Sequence, residues 1–227
     1  MANPGRATIP WSSGRAVAAL VDGSGEAVVV LAHGAGTDQR HPMITALRHG
    51  LAAGGVTAVT FDYPFTTEGR RRPDQAEVLL ACHRAVLGWV RAELGEALVA
   101  GGRSMGGRMA SMLAAEGDPM AGLVLYGYPL HPAGRPDRLR VEHLSRIACP
   151  MLFFQGSRDA LARAELFDRH VRPHPTAGVV DLDGADHAFR GREWDPDRLT
   201  TTLVGETLAW LGRIGPGRLA PLRRPEA

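Results

Sequence analysis

Short apolar runs along the chain alternate with longer amphipathic stretches. Residues 28–32, 56–62, 97–102, 123–127, 151–155 and 179–182 are dominated by Val, Leu, Phe, Ala and Gly. They lack strict polar alternation, which is the signature of parallel strands covered on both faces. Between them, residues 42–53, 74–94, 105–115, 160–170 and 197–214 are candidate helices. In the second of these, Ala76, Leu79, Leu80, His83, Val86, Leu87 and Val90 recur at helical spacing. Asp74 after Pro73 is a start signal for it and Gly95 a stop signal. Residues 15–21 are the best candidate for an edge strand within the first 25. Strand–helix alternation of this kind predicts a mostly parallel, doubly wound α/β sheet with right-handed crossovers. The expected organisation is one domain over residues 1–214 and a flexible tail over 215–227, where no apolar period continues.

Composition narrows the chemistry more than the fold. The 26 basic residues are all arginine, and the formal net charge is +2. Absence of lysine removes Schiff-base lysines, Ser–Lys dyads and the lysine of a phosphate-binding P-loop. The near-neutral balance gives no sign of nucleic acid or an anionic membrane surface as partner. Two cysteines, Cys82 and Cys149, make neither a disulfide framework nor a zinc cluster. With no signal-peptide pattern and no apolar run of membrane-spanning length, a soluble cytoplasmic protein is the expectation.

The stretch "GGRSMGG", residues 101–107, lies between a predicted strand and a predicted helix. No frame of it satisfies G-x-G-x-x-G, and without lysine it is not a P-loop. Gly102-Arg103-Ser104-Met105-Gly106 does satisfy G-x-S-x-G, a strand–turn–helix bend that presents a serine at the carboxyl edge of an α/β sheet. A serine hydroxyl needs a base, an orienting acid and oxyanion donors. In this fold the order expected along the chain is Ser, acid, His. Asp159 follows the strand over residues 151–155, and His187 lies on the loop after the strand over 179–182. Asp159 can also cap the helix that follows it. Asp183 and Asp186 compete for the acid role, though on the histidine's own loop they suit turn positions. The oxyanion donors expected are the backbone N–H groups of Met105 and of Ala35 in "HGAG", where His33 fixes the loop by hydrogen bonds. Tyr63, Phe65, Tyr128 and His131 are candidates for the substrate wall. Arg70-Arg71-Arg72 reads as a solvated loop. The acidic run 181–186 lacks the twelve-residue calcium pattern, so no metal is expected, and no cofactor is required.

The segments "VLAHGAG", "FDYPF", "GGRSMGGRMAS", "LVLYGYPLHPAGRPDRLRVEHL", "PMLFFQGSRDAL" and "DGADHAF" resemble a small α/β-hydrolase-like family. It is related to testis-expressed proteins and to a subunit of the NSL histone-acetyltransferase complex, near the dienelactone-hydrolase branch. The resemblance implies an α/β-hydrolase fold with minimal or no lid, and Ser104, Asp159 and His187 in the triad positions. Dienelactone hydrolases carry a cysteine nucleophile where this chain has Ser104. The expected activity is hydrolysis of an ester, thioester or related acyl bond of a small molecule through an acyl-enzyme. The alternatives are an acyltransferase using the same triad and a non-catalytic interaction module on the same scaffold.

Overall fold

The computed structural model describes residues 5–214; the expected tail, 215–227, lies outside the described residues. The chain begins with an antiparallel hairpin, β1 (Gly5–Ser12) and β2 (Arg15–Asp22). It continues through β3 (Val28–Ala32), α1 (Pro42–Ala53), β4 (Thr57–Phe61), the short α2 (Pro64–Thr67) and α3 (Ala76–Glu93). Then come β5 (Leu98–Arg103), α4 (Met105–Ala115), β6 (Gly122–Tyr126), β7 (Met151–Gly156), α5 (Ala164–His170), β8 (Ala177–Leu182) and α6 (Pro196–Ile214). The strand order is β1-β2-β4-β3-β5-β6-β7-β8. β2 runs antiparallel to β4, and every pair from β4 across to β8 is parallel.

The central strands are apolar throughout because successive side chains serve two separate cores. Val28, Val30, Ala100 and Phe153 point to the layer that holds Leu87 of α3 and Leu113 of α4. Val29, Leu31, Val99 and Phe154 point to the layer that holds Leu47 of α1 and Trp210 of α6. A polar pair is buried in the first layer, where the Tyr63 hydroxyl and His83 Nδ1 share a hydrogen bond of 3.0 Å. In the second, the Tyr126 hydroxyl meets Thr207 Oγ1 at 2.8 Å.

Two helices start later than their sequence patterns predict, for different reasons. Asp74 does not cap α3; its carboxylate pairs with Arg70, 2.7 Å away, and Gln75 occupies the N-cap position. Residues 160–163 stay outside α5 because the Asp159 carboxylate accepts the Leu161 N–H at 2.7 Å and closes a local turn.

Chain direction across the sheet reverses at β3. It passes from β3 to β4 on one side and returns to β5 on the other. At such a switch point the loops leaving adjacent strands diverge to opposite faces and open a crevice at the carboxyl edge. The loops after β3 and β5 meet there, since Ala32 pairs with Gly102.

Leu31 is fully buried, so Leu31→Ala should lower stability by about 2–5 kcal/mol, read from the urea midpoint at unchanged slope. His83 provides a pH signature. Burial lowers its imidazole from the ordinary 6.5 to about 3. Below pH 6.5 the unfolded chain therefore binds a proton that the folded site refuses, and stability should fall as pH drops towards 3. The slope is at most about 1.4 kcal/mol per pH unit for this one proton. His143, lowered to about 4 chiefly by burial, acts in the same direction. His83→Gln keeps a partner for the Tyr63 hydroxyl and should flatten part of that slope in denaturation curves taken from pH 7 to 4.

Candidate active site

Ser104 sits between β5 and α4 with φ 49° and ψ −111°. A side-chain-bearing residue adopts that backbone only where its surroundings dictate it. The surroundings are glycines in van der Waals contact with β3. A Cβ on Gly102 would lie 2.1 Å from the Ala32 carbonyl oxygen, and one on Gly106 would lie 2.4 Å from the same atom. The turn is held by Ser104 N–H donating to Tyr126 O at 2.9 Å. Met105 then opens α4, so its N–H faces out of the helix N-terminus.

His187 Nε2 lies 2.9 Å from Ser104 Oγ, and its Nδ1 lies 2.8 Å from Asp159 Oδ2. With Nδ1–H donating to the carboxylate, Nε2 is free to accept the serine proton. The Asp159 side chain is fully buried and that of His187 partly exposed. Gln155 Nε2 donates to Asp159 Oδ2 at 2.8 Å, while the Leu161 N–H takes Oδ1. Asp159 therefore orients a ring and caps a turn at once. Gln155 escaped the sequence reading; its one signal was an amide side chain ending an otherwise apolar strand.

The loops carrying the acid and the histidine are bonded to each other. Arg158 N–H donates to Ala185 O at 2.9 Å, and the Ser157 hydroxyl donates to Asp183 Oδ1 at 3.0 Å. Asp186 Oδ1 accepts the N–H groups of Ala188 and Arg190, closing the histidine loop from within. Burial pushes the Asp186 carboxyl up, but these N–H groups and the Arg190 charge outweigh it and hold it below the usual range. Neither Asp183 nor Asp186 bonds to the His187 ring.

On the other side lies the loop after β3. His33 Nδ1 donates to Gly34 O at 2.9 Å, and Nε2 accepts the Tyr63 N–H at 3.1 Å. Both ring nitrogens are committed, and burial lowers the imidazole's pKa, which keeps it neutral. Asp62 continues the anchorage by accepting both the backbone and the side-chain N–H of Gln39, each at 2.9 Å. A Cβ built on Gly34 would stand 3.7 Å from Ser104 Cβ and 3.0 Å from Arg103 Nη1, so this loop packs on the serine turn. Among the described residues, no protein acceptor takes the N–H of Ala35 or of Met105.

The four side chains expected on the substrate wall are not there. Tyr63, Phe65, Tyr128 and His131 are each at most 1% exposed. Tyr63, Phe65 and Tyr128 belong to the core beneath α3 and α4. The Tyr128 hydroxyl reaches Arg140 O at 3.2 Å, and His131 ties its loop to the one behind Asp159 by accepting the Arg163 N–H. All four side chains turn into the domain. A cavity bordered by the residues after His187 lies on the opposite face, between α1 and α6.

Other candidate chemistry is occupied or absent. Burial pushes the Cys82 thiol up to about 12 and the Cys149 thiol to about 11, so neither ionises near neutrality. Arg70 pairs with Glu68 and Asp74. Among the described residues, no three His, Cys, Asp or Glu side chains are grouped to hold a metal ion. Among them also, no helix is long and apolar enough to cross a membrane.

Gly106→Ala should destabilise the protein by about 1–3 kcal/mol, because its Cβ meets backbone that cannot yield. Gly88→Ala, on α3 with open space around it, should stabilise by about 0.5–1 kcal/mol. Paired urea denaturation of the two variants checks both signs.

Comparison with known proteins agrees with this architecture. The lidless α/β serine hydrolase XC6422 from Xanthomonas campestris is 19% identical, with TM-score 0.73, covering 93% of this chain and 97% of its own. Est1E from Butyrivibrio proteoclasticus is 15% identical, with TM-score 0.72 and coverage of 90% and 98%. Dienelactone hydrolase from Anabaena variabilis is 17% identical, with TM-score 0.69 and coverage of 93% and 99%. At these identities the likeness is one of fold. The sequence match is to the alpha/beta hydrolase domain, over residues 25–205, most of the chain. With that match and this sheet, the chain belongs to the alpha/beta hydrolase domain family.

Proposed function

We propose that the protein is a serine hydrolase that cleaves an ester, thioester or related acyl bond of a small molecule. The observation that carries this reading is the continuous hydrogen-bonded chain from Asp159 through His187 to Ser104, ending on a serine at positive φ. Ser104 Oγ attacks the carbonyl carbon as its proton passes to His187 Nε2, and Asp159 holds the ring and stabilises the imidazolium. The backbone N–H groups of Ala35 and Met105 receive the tetrahedral oxyanion, each worth about 3 kcal/mol in the transition state. Collapse of that intermediate expels the alcohol or thiol, which takes its proton from His187. Water then repeats the cycle on the acyl-enzyme, with His187 as base, and releases the acid.

The resemblance of the quoted motifs, foremost "GYPLHPAGRPDRLRVEHL", supports a relation to the testis-expressed proteins and the NSL-complex subunit. Est1E has been solved with ferulic acid bound, which makes aryl esters sensible first substrates beside short alkyl esters.

Wild-type protein should label with a fluorophosphonate and hydrolyse p-nitrophenyl acetate, whereas Ser104→Ala should do neither. His187→Ala and Asp159→Asn should each lower kcat by about 10³–10⁶. A wild type that neither labels nor cleaves would overturn the reading in favour of a non-catalytic module. Preferential transfer to an added alcohol over water would make it an acyltransferase. Full activity in Asp159→Asn would move the acid role to Asp183 or Asp186.

A further inference from the structure

The residues that follow His187 border a cavity of about 410 Å³ between α1, the segment after β8 and the start of α6. Small-molecule sites span about 300–1,000 Å³. Its wall is predominantly apolar, with Met43, Ala46 and Leu47 from α1, Phe189 and Trp194 from the segment after His187, and Leu203 from α6. Arg190 stands exposed at the margin, already paired with Asp186 at 3.1 Å.

Two observations tie this cavity to the reaction centre. First, Ala188, Phe189 and Arg190, the three residues directly after His187, all line it. The proposed base and one wall of the cavity therefore share a single short segment, which Asp186 closes. Second, Phe189 has φ 60°; among the described residues it and Ser104 are the non-glycine residues at positive φ. For a bulky residue that conformation stores strain, and it persists where the surroundings over-determine it. The turn seats the Phe189 ring both in the α1–α6 core and in the cavity wall.

We propose that this cavity receives the apolar part of the substrate, an alkyl or aryl group, while the scissile carbonyl lies at Ser104. The inference rests on the serine-hydrolase reading above and adds the chemistry of the group recognised. His41, Arg190 and Asp197 also border the cavity, but a charged group seated against Met43, Leu47, Phe189 and Leu203 would lose its hydration without gaining a partner. An uncharged hydrocarbon gains by leaving water.

The test uses two ester series, one lengthening the acyl chain on a fixed alcohol, the other lengthening the alcohol on a fixed acetate. In one series kcat/KM should rise about fourfold per added methylene until the cavity is full. The series that responds identifies which side of the ester the cavity takes. Thr200→Phe on α6 and Ala46→Phe on α1 both project into the space and should flatten the rise. Thr201→Phe, at an exposed neighbouring position, should not.

Binding is read separately in Ser104→Ala, where 1-octanol should shift the fluorescence of Trp194 to shorter wavelength, with Trp194→Phe assigning the signal. A shift that Thr200→Phe abolishes, alongside a wild type that cleaves no ester, would support the cavity and overturn the hydrolase reading. Rates independent of chain length in both series, or a rise that neither filling variant alters, would overturn the cavity proposal. So would a Trp194 signal indifferent to octanol.

Discussion

The Ala32 carbonyl oxygen, at the end of β3, is the point against which the serine turn is built. Two glycines, Gly102 and Gly106, approach it so closely that any side chain on either would overlap it. This contact brings the end of β5 and the first turn of α4 onto β3, and it leaves Ser104 no conformation but a strained one. It also sets the loop after β3 beside the serine, with Gly34 packed on Arg103 and Ser104. Backbone repulsion is short-ranged and steep, so a junction defined by it holds the Ser104 backbone tightly.

The opposite half of the site is organised by hydrogen bonds. Asp159 spends one oxygen on its own loop and the other on His187 and Gln155. Ser157 and Arg158 bind that loop to the residues just before His187. Acid and histidine are therefore placed as a unit, at the ends of the neighbouring strands β7 and β8. His33 and Asp62 do the same work on the other side of Ser104 by joining the loop after β3 to the segment after β4. Buried polar groups of this kind carry a desolvation penalty unless each finds its partner, which makes their geometry specific.

Much of the framework was legible in the chain itself. The unalternating apolar runs announced strands covered on both faces, and α1 and α4 have the limits their periodicity predicted. Residues Ser104, Asp159 and His187, picked for their order and for following predicted strands, form one hydrogen-bonded chain through His187. Local rules suffice here because strand period, helix period and strained glycine turns are properties of short segments. The substrate-wall residues were another matter. Tyr63, Phe65, Tyr128 and His131 follow strands at the correct edge, Phe65 within α2, yet the chain there buries their side chains in the domain. An aromatic at a loop position reads the same whether it turns inward or outward; which it does depends on what packs opposite, such as His83 under Tyr63.

The division between the two levels follows from the range of the forces involved. Sequence alone specified the α/β alternation, the turn that must hold Ser104, and the order of the acid and the histidine behind it, because each is written in contiguous residues. Tertiary structure decided which carboxylate faces the imidazole, how Gln155 joins it, and where a cavity borders the residues after His187. Those outcomes depend on contacts between segments far apart in the chain, such as Met43 of α1 and Leu203 of α6 lining one cavity. No local pattern encodes such a meeting, since its energy arises only when the sheet has brought both helices to the same face.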